Sequence, residues 1–439
     1  MIPCPCSWPK RRVVKDNRLG DYLARRAVGT PWQLELSRSA PFTGGIVIPA
    51  LAEADNLPLL LNALVSDGTL PPSGMVVVMV VNNRADASDR EKADNARSLD
   101  LLAVAAPRLP FPLGIVDAAS PGFELPLKDG GVGLARKIGH DLLLPHLDFA
   151  ATDPLLVSLD ADTLVEPGYA NAIQSHFAAA KAGGAVIPFA HRHGGDELEE
   201  RAIERYELFL RCYVAGLAHA GSPYAFHTVG SAMACRASAY LRTGGMNRRR
   251  AGEDFYFLQG LAKTAGVARV AGTTVHPSPR RSERVPFGTG RAMNALLDRE
   301  EKAILFYRPE CYELLREWLT AAADGCRQHD QALPQRAASI SPHLATFLDT
   351  QGFGSAWERL ITQNRTPERL AKAFHDWFDA FRTMKFFHYL ADGPYPRTEP
   401  DEILPRFPAA WGAPALTPTD RLELLRHRQS ADEPLSSGV

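Results

Sequence analysis

Apolar and polar positions fall into two regimes along this chain. Between residues 43 and 292, short apolar runs alternate with amphipathic stretches. Gly45-Ile-Val-Ile-Pro-Ala reads as a short buried strand, and the segment from Asp55 to Val65 carries Leu57, Leu60, Leu61 and Leu64 at helical spacing. Met75-Val-Val-Val-Met-Val-Val is β-branched almost throughout, which suits a parallel strand covered on both faces; it ends on Asn82-Asn83. The pattern predicts a polar helix over 85–99, a third strand over 111–116, and a helix over 134–144 introduced by a glycine-rich loop. Leu155 to Leu159 form a further apolar strand. Strands alternating with helices imply crossover connections and a mostly parallel sheet, an α/β fold.

From residue 293 helix follows helix. Thr366-Pro367-Glu368 is a start signal, with Thr as cap and Pro in the first turn. Leu370, Phe374, Trp377, Phe378, Phe381 and Met384 then make one apolar stripe. The stripe predicts a helix packed on the rest of the protein. Its modest basicity gives a rival reading, an acceptor-binding or membrane-surface helix with peripheral membrane contact. The polar tail from Thr417 is expected to fray. Residues 1–42 are rich in breakers and read as an irregular N-terminal extension, so the division is 1–42, 43–292 and a helical C-terminal domain over 293–439.

Composition permits an enzyme without naming one. A length of 439 residues allows about two or three domains. A formal net charge of -1 argues against nucleic acid or an anionic membrane as an obligatory partner. No apolar stretch is long enough to span a bilayer, and the opening Met-Ile-Pro-Cys-Pro-Cys lacks the order of a secretory signal, so a cytoplasmic location is expected. Cys212, Cys235, Cys311 and Cys326 stand singly, as buried hydrophobes in a reducing compartment do, and Cys4-Pro-Cys6 has poor spacing for zinc.

The strand at 155–159 stops abruptly on Asp160-Ala-Asp162. Two acids one residue apart on extended backbone point roughly the same way, with Ala161 turned aside. At the carboxyl edge of a sheet, two hard oxygen donors suit a divalent cation that bridges to phosphate oxygens. An isolated pair of this kind is most often a solvated turn; its neighbours in sequence change that reading.

Four further segments stand in order around the acids: Val47-Ile-Pro-Ala-Leu-Ala-Glu53, Val80-Val-Asn-Asn83, Gly133-Leu-Ala-Arg136-Lys-Ile-Gly139, and Gly244-Gly-Met-Asn247 leading to Gly252-Glu253-Asp254. Over roughly residues 43 to 277 this series resembles glycosyltransferase family 2, whose members have the GT-A fold, a Rossmann-like mostly parallel sheet flanked by helices. The resemblance implies a nucleotide-sugar donor, UDP- or GDP-linked, a hydroxyl acceptor of unknown identity, and a divalent cation, Mn²⁺ or Mg²⁺. It places Pro49, Glu53, Asn82, Asn83 and Arg136 at the nucleotide, with Asn82-Asn83 where relatives carry an acid. Asp162 becomes a metal ligand and Asp160 a holder of ribose hydroxyls or a metal-bound water. His276 stands where several relatives have an additional ligand, and an imidazole there would favour Mn²⁺. Asp254 becomes the candidate base of an inverting transfer, beside Glu253. The arginines after His276, Arg284 among them, could close over a diphosphate.

Each assignment has a plainer rival. Glu53 and Arg136 could be a surface ion pair, His276 a structural residue, and Glu253-Asp254 a helix cap. Two rival functions are a sugar-phosphate nucleotidyltransferase and a non-catalytic nucleotide-sugar-binding protein. The former usually carries a Gly-rich loop with Lys or Arg after the first strand, which Pro49-Ala-Leu-Ala-Glu53 lacks. No Gln-x-x-Arg-Trp motif or membrane span of a processive synthase is present, so a non-processive enzyme is expected.

Overall fold

The structure, a computed structural model, describes residues 18–39, 41–71, 74–282, 288–298, 304–407 and 416–430. Its strands are β1 (Glu35–Leu36), β2 (Gly44–Ala50), β3 (Met75–Asn82), β4 (Leu113–Ala118), β5 (Leu155–Ser158), β6 (Leu164–Val165), β7 (Gly184–Val186), β8 (Met233–Arg236), β9 (Val267–Arg269) and β10 (Val275–His276). Eight form one sheet in the order β1-β4-β3-β2-β5-β8-β7-β9, and β6 pairs with β10. The pairs β2–β3, β3–β4, β2–β5 and β7–β9 are parallel, while β1 and β8 run antiparallel to their neighbours. This is the expected mostly parallel α/β sheet flanked by helices and followed by a helical C-terminal part.

Every position of β2 and β3 is buried, as their unbroken apolar runs require. Alternation sends Ile46, Ile48, Val77 and Met79 to a core with the helix Leu57–Ser66. Val47, Val76, Val78 and Val80 face the opposite core, under the helix Val132–Leu143. Because β2 has β3 on one side and β5 on the other, the crossovers leave it in opposite directions. A crevice opens there at the carboxyl ends of the strands, the position where open α/β sheets bind ligands.

Three segments differ from expectation. Residues before 43, read above as irregular, contain the helix Arg18–Arg25 and the sheet strand β1. Long-range polar contacts supply the order: Asp141 accepts from the Tyr22 hydroxyl at 2.8 Å and the Val28 amide at 2.9 Å, and pairs with Lys137 at 2.8 Å. The stripe from Leu370 to Met384 spans two helices, Pro367–Trp377 and Ala380–Ala391. Asp379 separates them because it caps the second, accepting from the Arg382 amide at 3.0 Å and from Lys263 Nζ at 2.6 Å. Leu370, Phe374 and Phe378 are buried in the C-terminal core, as the packed-helix reading has it, and no described helix is long and apolar enough to cross a membrane. The tail expected to fray holds the helix Pro418–Ser430, fixed by Arg426 donating to buried Glu207 at 2.7 and 2.9 Å.

The pattern gave no notice of the longest helix, Glu197–His219. Asp196 caps it, accepting from the Leu198 and Glu199 amides at 2.9 Å. It joins the two halves: Leu208, Cys212, Ala215 and Leu217 pack in one cluster with Trp318, Phe386 and Leu422. Four cysteines are free and buried, as expected, while Cys4, Cys6 and Arg284 lie outside the described residues.

Candidate active site

A cavity of about 1080 Å³ opens at the carboxyl ends of β2, β3 and β5. Pro49, Glu53, Asn82, Asn83, Arg136, Asp160, Asp162, Glu253 and Asp254 all line it, so segments far apart in sequence meet on one wall. Two glycines make that meeting possible. A Cβ at Gly133 would stand 2.4 Å from the Arg249 carbonyl oxygen and 2.9 Å from Glu253 Cβ; one at Gly139 would stand 2.3 Å from Val47 Cγ1. The helix Val132–Leu143 therefore sits close on the sheet at one end and close on the Gly244–Glu253 segment at the other.

Arg136 projects from that helix into the gap between two acids. Its guanidinium donates to Glu253 Oε1 on one side and Asp160 Oδ1 on the other. The residue is only 2% exposed, so the surface-pair reading fails; burial works against its charge, but Asp160, Glu253 and Asp254 outweigh that and hold it protonated. A second arginine, Arg280, one of those after His276 read as able to close over a diphosphate, also bridges two acids. Arg280 donates to Glu53 Oε2 at 2.9 Å and lies 2.9 Å from Asp162 Oδ2. Its signal in sequence was only a basic run after a proline-rich loop. Burial pushes the Asp162 carboxyl up to about 6, against the pull of Arg280 and with Asp160 and Glu53 adding to the push.

Asp254 differs from the other acids. Among the described residues its carboxylate accepts only from the Phe255 amide, at 2.7 Å. Burial raises its pKa, with Arg136 opposing and Asp160 adding to the rise. Glu253, the other acid assigned to catalysis, is engaged with Arg136, which suits positioning; burial pushes it up to about 7. Neither acid caps the helix Glu253–Thr264, whose cap is Gly252 without a side-chain bond.

The two asparagines divide. Asn83 is committed within the fold: its amide donates to the Arg84 and Ala119 carbonyls and its oxygen accepts from Asn95 at 2.7 Å. Asn82 donates to the Ala50 and Val80 carbonyls at 3.2 and 3.0 Å, which leaves its Oδ1 without a hydrogen bond among the described residues.

The structure does not bring His276 to the acid pair. Its Nε2 lies 3.1 Å from Glu166 Oε1 and its Nδ1 3.0 Å from the Ala190 carbonyl oxygen. Among the described residues, no three His, Cys, Asp or Glu side chains group closely enough to hold a metal ion alone. The donor set suits a cation bound the way Mg²⁺ commonly is, by one or two carboxylates with substrate phosphates and water completing the shell. Five carboxylates, Glu53, Asp160, Asp162, Glu253 and Asp254, share this cavity with Arg84, Arg136, Arg250 and Arg280.

No protein-family model matches the chain, nor does any curated protein. Among solved structures it is similar to S. aureus TarS 1–349 in complex with UDP-GlcNAc, at 11% identity over 76% of this chain and 91% of that one, TM-score 0.38. It is also similar to the mannosyltransferase PcManGT from Pyrobaculum calidifontis in complex with GDP-Man and Mn²⁺, at 18% identity over 83% and 93%, TM-score 0.37. A third is glucosyl-3-phosphoglycerate synthase from Mycobacterium tuberculosis with Mn²⁺, UDP and glucosyl-3-phosphoglycerate, at 15% identity over 72% and 88%, TM-score 0.32. With TM-scores this low, the chemistry of this chain is read from its own residues.

Proposed function

We propose that this chain is a divalent-cation-dependent glycosyltransferase that moves a sugar from a nucleotide-sugar donor to an acceptor hydroxyl, with inversion and without processive addition. The observation that carries this reading is the convergence of Glu53, Arg136, Asp160, Asp162, Glu253 and Asp254 on one cavity at the sheet's switch point. Asp162, with Asp160 beside it, would hold the cation, which supplies charge stabilisation to the leaving diphosphate. Asn82 Oδ1 is available to accept from a base N–H, and Arg280 is placed to release its acids and pair with phosphate oxygens when the donor enters.

Asp254 is the base. Transfer forms a bond between the acceptor oxygen and the anomeric carbon and breaks that carbon's bond to the diphosphate oxygen. The hydroxyl proton passes to the Asp254 carboxylate, and the nucleoside diphosphate departs with the electron pair. An acid whose only hydrogen-bond partner among the described residues is a backbone amide, and whose pKa burial raises, is a competent acceptor for that proton. Glu253 acts through Arg136, fixing the guanidinium between the donor acids.

A thermal-shift screen of UDP-, GDP- and dTDP-sugars with and without Mn²⁺ or Mg²⁺ tests the reading. One nucleotide series should raise the melting temperature only with cation present, and that donor should then be slowly hydrolysed. Binding without hydrolysis or transfer would indicate a sugar-nucleotide-binding protein. Pyrophosphate release from a nucleoside triphosphate and a sugar phosphate would indicate a nucleotidyltransferase.

A further inference from the structure

The cavity continues well past Asp254, and its character changes there. Along the helix Glu197–His219, the residues Tyr206, Phe209, Leu210, Tyr213, Val214 and Leu217 all line it. Their spacing of three, four, seven, eight and eleven is one helical face. At 1.5 Å per residue the stripe is about 16 Å long. Phe255 and Tyr256 from the Glu253–Thr264 helix, and Met384 from the Ala380–Ala391 helix, form other parts of the lining. Tyr206 marks the start of the stripe at the catalytic end, since burial and the nearby Asp254 charge together push its phenol up to about 12.

Several polar groups in this part are engaged within the protein. The Tyr224 hydroxyl donates to the His375 carbonyl at 2.7 Å, and Thr383 Oγ1 to the Asp379 carbonyl at 3.0 Å. Gln259 Oε1 accepts from the Phe381 amide at 2.9 Å, and His227 Nε2 lies 2.9 Å from Gln429 Oε1. Arg397 lies over the Tyr307 ring, 4.3 Å from its centroid, and donates to the Tyr307 hydroxyl at 2.6 Å. A saccharide acceptor needs donors and acceptors around each of its hydroxyls, and leaving those unpaired is costly. An apolar body needs only the surface this wall provides.

We infer that the acceptor is an alcohol or phenol with an extended apolar body, aryl or long-chain, which lies along the Tyr206–Leu217 stripe and presents its hydroxyl to Asp254. The inference rests on the transferase reading for the role of Asp254, but the pocket's preference can be tested apart from it. Titration calorimetry on the full chain compares 2-naphthol with methyl β-glucoside as probes, and measures UDP and GDP with Mn²⁺ in parallel. 2-Naphthol should bind saturably at one site with at least tenfold higher affinity than the glucoside. Leu210→Trp and Met384→Trp fill the cavity from two different helices, and each should weaken naphthol at least tenfold while nucleotide affinity stays within twofold. Glucoside binding as tightly as naphthol overturns the inference. So does unchanged naphthol affinity in whichever of the two variants melts cooperatively; if neither folds, the comparison of the two probes on the parent chain decides. Loss of nucleotide binding alone would sink the transferase reading and leave the apolar site standing. Intact nucleotide binding with no naphthol preference removes only the acceptor class.

Discussion

Replacing Arg136 by Met keeps most of the side chain's volume and removes its charge. Arg136 is 2% exposed and its partner Glu253 3% exposed, so the variant strands a buried carboxylate. Removing one partner of such a pair costs about 3–5 kcal/mol. The second partner, Asp160, is 34% exposed and screened by solvent, so little of the loss falls there. The pH dependence distinguishes this account from simple loss of packing. Even beside Arg136, burial pushes Glu253 from 4.5 up to about 7, with Asp254 and Asp160 contributing. A raised carboxylate gives stability that is complete below 4.5 and declines as pH rises to about 7, because the native state holds a proton that the unfolded chain releases. In the parent that decline ends near 7. Without Arg136 the carboxyl rises further, so the variant continues to lose about 1.4 kcal/mol per pH unit where the parent is flat. Urea unfolding of both proteins at pH 6 and pH 8 reads the difference, and the stability gap should widen by about 1 kcal/mol or more at pH 8. An equal gap at the two pH values, or one below about 1 kcal/mol at pH 8, would refute the buried-pair account.

Asp254→Asn should lower turnover by about a hundredfold or more with donor affinity within a few-fold of the parent; parental turnover in a stable variant removes the residue from the mechanism. Asp162→Asn should abolish Mn²⁺-dependent binding of UDP or GDP in calorimetry without loss of the fold, and unchanged affinity would exclude it as a ligand. In the parent, kcat/KM should rise with pH along a limb whose apparent pKa near 7 belongs to the coupled Glu253–Asp254 pair beside Arg136 and Asp160. A limb in the ordinary carboxylate range would contradict the burial argument. Glu207→Gln should destabilise by about 3–5 kcal/mol, because Arg211 and Arg426 lose a buried counter-charge. Limited proteolysis should then cut first at the Pro418–Ser430 helix.

What the sequence disclosed and what it concealed follow one physical divide. Strands β2, β3 and β5 were legible because full burial demands unbroken apolar runs, and the polar residues that follow them, Glu53, Asn82-Asn83 and Asp160, marked the rim of the sheet. Partners reached across the fold were not. Arg280 finds Glu53 across 227 positions, and Tyr22 finds Asp141 across 119, with no local periodicity to announce either. His276 looked equally suited to a metal or to a loop until Glu166 and the Ala190 carbonyl occupied its nitrogens. The Glu197–His219 helix exposes the deeper reason. Leu208, Cys212 and Ala215 are buried against the C-terminal helices, while Phe209 and Tyr213 pack partly against the same cluster and, with Leu210, also line the cavity. Burial against protein and, on the acceptor inference above, burial against a bound molecule both call for apolar residues. Hydropathy records the need to leave water and carries no mark of what displaces it. On the proposed reading, recognition of the donor is written in polar and charged residues at strand ends, which a sequence displays. Recognition of an apolar acceptor is written in residues that a sequence cannot tell from core, and only the space beside Leu210 and Tyr213 separates the two.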